Sequence, residues 1–262
     1  MVADMKRFVL VGLGLALVGS GLFVVSRYRA TRDITMYLLL ARPVEENARE
    51  GSRLGLEPVA VGPLRALVRR PSTGHAWFIF WGGNSATYFH DAVAVVEGFA
   101  LPPEVGVLIV APPGYDSEGH PSPAGLEHDA ELVRAWVIER EGAERVVVGG
   151  FSMGTYSALV AAEAHVAGVV LVGASTDFGA NDPGLFFRLK EPTRYVRREQ
   201  PPRVPALVIQ GDEDVPWEAQ TVATWLGARL VLLPHTTHPG SQTHPVTQRE
   251  AHAFIVKSLE LP

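Results

Sequence analysis

Short, uncharged apolar runs alternate along the chain with stretches that mix apolar and polar positions. Ala76–Trp81, Val105–Val110, Val146–Val148, Val169–Val172, Ala206–Gln210 and Leu230–Leu233 each have strand length. A strand that is apolar at consecutive positions is buried on both sides, as in a parallel sheet covered by helices. Between the runs, the stretch after Ser85 to Phe99, Gly125–Glu141, Thr155–Ala164 and His244–Leu259 read as helices. In the second of these, Leu126, Ala130, Val133, Trp136 and Val137 trace a helical stripe. Val59–Arg70 predicts an edge strand with a turn at Gly62-Pro63. The pattern predicts an α/β fold, with a mostly parallel central sheet and helices on both faces.

The N-terminus differs. Phe8–Val25 carries no charge and is flanked by Lys6 and Arg7 on one side and by Arg27, Arg29 and Arg32 on the other. At helical rise the run spans roughly 27 Å, close to a hydrocarbon core. It predicts an uncleaved, single-pass transmembrane helix, with Ser26-Arg27-Tyr28-Arg29 as interfacial anchors. A cleaved signal peptide is the competing reading. The flanking charges leave the orientation open. The chain then divides into an anchor with its flanks (1–32), a tether (33–58) and the α/β domain (59–262). Within the domain, 176–204 interrupts the alternation with Phe178, Phe186, Phe187 and several basic residues. That stretch has the size of a short cap; a solvated connecting helix with a basic face is the alternative.

Composition removes several function classes. The 262 residues include no cysteine, so disulfides, thiolate catalysis and cysteine metal sites are absent. A net charge of −5 gives no footprint for nucleic acid.

Candidate chemistry begins at Gly150-Phe151-Ser152-Met153-Gly154, between the Val146–Val148 strand and a helix. A serine at the tip of a strand-to-helix turn is exposed but crowded, and small residues two positions away relieve the crowding. Ser152 is the candidate nucleophile. Its base should be a histidine past a later strand; His238 is favoured, with His244 and His235 as alternatives. The orienting carboxylate is sought in Gly211-Asp212-Glu213-Asp214, where Asp214 is favoured over Asp212, with Asp177 third. Asp214 also stands where a helix N-cap would. Oxyanion donors are expected from the Met153 N–H and from the Gly82-Gly83-Asn84 turn, with Gly83 and Asn84 both candidates. His235, His238 and His244 lack a helical metal-binding spacing and a neighbouring carboxylate, so no metal or cofactor is expected.

Three blocks together resemble the α/β-hydrolase superfamily: Phe80-Trp81-Gly82-Gly83-Asn84, Gly114–Ser122 with Asp129-Ala130 beyond it, and Gly150–Gly154. More narrowly, they resemble its short-lidded, membrane-anchored, serine aminopeptidase-like members. The chain departs from that group in having Pro112-Pro113 before Gly114 and Trp81-Gly82-Gly83-Asn84 at the oxyanion turn. The resemblance implies that Ser152, Asp214 and His238 form a catalytic triad. It also implies an ester, thioester or amide hydrolase acting through an acyl-enzyme on a small-molecule acyl substrate; the Phe8–Val25 anchor suggests a lipid-like one but does not select it. An acyltransferase with the same triad and a non-catalytic binding domain on the same scaffold are the rival readings.

Overall fold

The computed structural model describes residues 54–83, 88–113, 123–162, 166–174, 201–214 and 216–261. All of them fall in one unit, Leu39–Pro262. Eight strands form one sheet: β1 (Glu57–Val61), β2 (Leu64–Arg69), β3 (Ala76–Trp81), β4 (Val105–Val110), β5 (Arg145–Phe151), β6 (Gly168–Val172), β7 (Ala206–Gly211) and β8 (Arg229–Leu233). Their order is β1-β2-β4-β3-β5-β6-β7-β8. β1 pairs antiparallel with β2, and β2 with β4. Every pairing from β3 through β8 is parallel.

Every residue of β3 and β4 is buried. Successive side chains on a strand point to opposite faces, so burial at every position means that both faces are covered. The described helices are α1 (Tyr88–Gly98), α2 (Pro123–Arg140), α3 (Gly154–Ala161), α4 (Pro216–Leu226), α5 (His238–Thr243) and α6 (Pro245–Ser258). α2 packs on α3, while α1 packs with α5 and α6. Phe78, Phe80 and Phe99 form an aromatic cluster in the core, with edge-on contacts at 5.9 and 6.2 Å between Phe99 and the other two.

One core contact positions the site directly. The Tyr88 hydroxyl donates to Val110 O (2.6 Å) and accepts from Gly82 N (2.7 Å). It therefore ties the C-terminal ends of neighbouring strands β3 and β4 together, and holds the turn that leaves β3. Arg69 does similar work at the opposite end of β4, where one guanidinium nitrogen donates to the carbonyls of Leu101, Pro102 and Val105.

Two elements differ from the sequence expectation. Val59–Arg70 is a hairpin of two strands, not one edge strand, because Gly62 takes φ 59° and reverses the chain between Val61 and Leu64. A short helix, α5, precedes the closing helix, which starts where expected as α6. His244 is extended at ψ 134°, and Pro245 starts α6 at the position where proline's missing N–H costs nothing. The expected tether gives way to β1 at Glu57. The Phe8–Val25 anchor, the 114–122 block and nearly all of the 176–204 cap lie outside the described residues, as do Asn84 and Asp177. Among the described residues no helix is long and apolar enough to cross a membrane.

Candidate active site

Ser152 follows the last residue of β5 and takes φ 51°. A residue with a Cβ in this left-handed region is strained by about 1–2 kcal/mol. The strain is held from both sides. Ser152 N donates to Val172 O at the end of β6 (2.9 Å). Ser152 O accepts from Thr155 N (3.0 Å) and from Thr155 Oγ1 (2.5 Å).

The glycines around it are set by space. A Cβ at Gly150 would lie 2.2 Å from Gly154 O, and one at Gly154 would lie 2.1 Å from Trp81 O. Both are backbone clashes that no rotamer change relieves. Gly83 is also confined, since its Cβ would meet Phe151 Cδ1 at 2.8 Å and Ser152 Cβ at 3.2 Å. The turn after β3 therefore runs against the serine. Met153 directly follows the serine at the N-terminus of α3, with helical φ and ψ of −52° and −38°.

The acid and the imidazole meet at the far side of β6. His238 Nδ1 lies 2.6 Å from Asp214 Oδ2. That nitrogen is engaged by the carboxylate, which leaves Nε2 free to act. The ring sits over Gly173, where an added Cβ would come within 2.9 Å of His238 Cε1. It also lies on Phe151, with ring centroids 5.0 Å apart and planes at 33°. Phe151 directly precedes Ser152, so the ring that backs the imidazole belongs to the segment that carries the serine. The Asp214 side chain is 10% exposed and that of His238 33% exposed. The pair is thus screened on the carboxylate side and open on the imidazole side.

The loop carrying Asp214 is packed onto the loop carrying His238. A Cβ at Gly211 would lie 2.0 Å from Thr236 O. Glu213 N donates to Thr236 O (3.2 Å), and the Asp212 carboxylate accepts from Thr236 N (3.3 Å). Asp212 is therefore a brace between the two loops and does not face the imidazole. Asp214 Oδ2 also accepts from Gln210 Nε2 (2.5 Å).

The alternative histidines stand elsewhere. His235 has a side chain that is 91% exposed, 3.8 Å from Glu213. His244 caps α6, its Nδ1 accepting from Val246 N (3.2 Å). Two participants escaped the sequence reading. Phe151 stands at a variable position of the glycine–serine motif, which carries no signal of its own. Gln210 had one legible signal, a polar residue closing an apolar strand. Among the described residues no cluster of three or more histidine and acidic side chains could hold a metal ion.

No family model matches the sequence, and no curated protein sequence matches it. Solved structures do. A hyperthermophilic esterase from the archaeon Pyrobaculum calidifontis superposes with a TM-score of 0.61 at 19% identity, covering 90% of this chain and 93% of its own. Est1E from Butyrivibrio proteoclasticus gives 0.59 at 16% identity, covering 79% of this chain and 99% of its own. XC6422 from Xanthomonas campestris, a lidless α/β serine hydrolase, gives 0.53 at 20% identity and covers 85% and 98%. The sheet order, the strained serine turn and these superpositions lead to one conclusion about architecture: the chain has the fold of the α/β serine hydrolases.

Proposed function

We propose that this protein is a serine hydrolase that cleaves an ester, thioester or amide through an acyl-enzyme on Ser152. The observation that carries the reading is the His238–Asp214 pair, seated over Gly173 and against the residue that precedes Ser152. His238 Nε2 takes the proton from Ser152 Oγ as the oxygen attacks the acyl carbon. Asp214 holds the imidazole by Nδ1 and stabilises the charge that develops on it. The N–H groups of Met153 and of Gly83 or Asn84 receive the developing oxyanion. His238 then protonates the leaving group, and later deprotonates the water that releases the acid.

The esterases among its structural neighbours support hydrolysis of an acyl bond. No cofactor is required by this chemistry. The uncharged Phe8–Val25 run with its basic flanks supports a single-pass membrane tether. An enzyme held at a bilayer meets lipid-like acyl groups, which we take as the substrate class.

A fluorophosphonate probe tests the nucleophile: it labels the wild type and fails to label Ser152→Ala. Equal labelling of both variants would overturn the assignment, and a folded wild type that does not react at all would favour a binding domain. Product analysis with water and an added alcohol as competing acceptors separates hydrolysis from acyl transfer. Persistence of the full chain in the membrane fraction after alkaline extraction tests the tether.

A further inference from the structure

The structure assigns a positioning role to Gln210, a residue outside the serine–histidine–acid set. The inference rests on the function proposed above. Gln210 is the penultimate residue of β7, directly after Leu207, Val208 and Ile209, and it is fully buried. Its neighbour across the sheet is Leu232 of β8.

A glutamine here has no packing reason to exist. Burying an amide is unfavourable unless both ends find partners. Among the described residues, Gln210 Oε1 is buried with no hydrogen-bond partner. An apolar side chain of similar volume would fill the same space without that cost. The gain is at the other end, where Nε2 donates to Asp214 Oδ2 at 2.5 Å. That oxygen is the one His238 Nδ1 meets at 2.6 Å.

The orientation of the amide follows from charge. Turned around, Oε1 would face an ionised carboxylate at hydrogen-bond distance, acceptor against acceptor. The donor end therefore faces Asp214. A carboxylate that accepts two hydrogen bonds on one oxygen has that oxygen fixed in direction as well as distance. Asp214 sits on a turn rather than in regular structure, so its side chain needs such a fixed point. β7 is an interior strand of the sheet, and Gln210 transmits its rigidity to the acid, which in turn sets the imidazole over Gly173.

The test replaces Gln210 with Met, which keeps length and apolar volume but donates nothing. The expected result is a fall of about tenfold or more in kcat and in the rate of fluorophosphonate labelling, with KM little changed, as for a misplaced catalytic group. The low-field proton resonance of the His238 Nδ1–H should shift or broaden in the same variant. Gln210→Glu keeps the shape and replaces the donor with a second carboxylate. It should be at least as impaired as Gln210→Met, since a buried second carboxylate would repel Asp214 Oδ2. A thermal melt of each variant shows that the domain is folded. Wild-type kinetics and an unmoved resonance in a folded Gln210→Met would overturn the role. If the wild type is not labelled or Ser152→Ala is labelled equally, it is instead the hydrolase reading that fails.

Discussion

The rings of Phe151 and His238 lie 5.0 Å apart between centroids and 33° from parallel. Phe151 is 8% exposed and is wedged between Gly83 and Gly173 as well. It gives the imidazole a flat support against one face, while Asp214 holds the Nδ1 edge. Phe151→Leu keeps apolar volume and removes the flat surface. The fold should lose about 1 kcal/mol, while probe labelling slows about tenfold through loss of alignment. A melt and a labelling time course on the same sample separate the two effects.

Gly173 is the floor under the same ring. It takes φ 62°, and an added methyl would approach His238 Cε1 at 2.9 Å and Phe151 Cε2 at 3.1 Å. Gly173→Ala should cost about 1–2 kcal/mol from backbone strain alone. The larger effect should be on rate, on the order of a hundredfold, since the imidazole must move by a sizeable fraction of an ångström. Steady-state kinetics on an activated ester would show it as a loss in kcat.

The three histidines near the end of β8 should separate cleanly. His238→Ala should lower turnover by about 10⁴-fold or more. His244→Ala removes the α6 cap and should cost about 1 kcal/mol of stability with activity retained. His235→Ala removes only an exposed side chain and should alter neither. Parallel melts and rate measurements on the three variants check the pattern. Full activity in His238→Ala would require a different base.

Asp129 on α2 predicts a pH effect on stability. It is 7% exposed, its Oδ2 is buried without a hydrogen-bond partner among the described residues, and burial raises its pKa against a weaker opposing effect from His128. A raised pKa in the folded state means that the fold retains the proton after the unfolded chain has released it. Stability from this group is therefore full below the ordinary aspartate range and is lost as pH rises through the folded-state value. Asp129→Asn keeps the shape without the charge. It should be more stable than the wild type at neutral pH, and the difference should vanish as pH falls below the ordinary aspartate range. Denaturant midpoints measured across that interval test the sign.

Much of the architecture was legible because burial on both sides of a strand leaves a one-dimensional trace. The runs at Ala76–Trp81 and Val105–Val110 are apolar at every position and became the fully buried β3 and β4. Edges were less legible. The hairpin of β1 and β2 carries a mixed burial pattern, so only the Gly62-Pro63 turn marked it. The closing helix was legible from His244-Pro245 onward, whereas the short α5 before it, which contains Pro239 and Gly240, was not.

By itself, the sequence determined the strand-to-helix turn at Ser152 and the need for glycine around it. Those depend on local crowding, which neighbouring residues carry. It also placed a carboxylate loop and a histidine loop past later strands. Tertiary structure alone decided which acid meets which imidazole. Asp212 and Asp214 are two residues apart, yet one braces Thr236 and the other holds His238. That choice comes from how the Gly211–Asp214 turn packs on the Thr236 backbone, a contact between segments more than twenty residues apart. The part played by Gln210 was hidden for the same reason: a buried amide has meaning only once its partner is known.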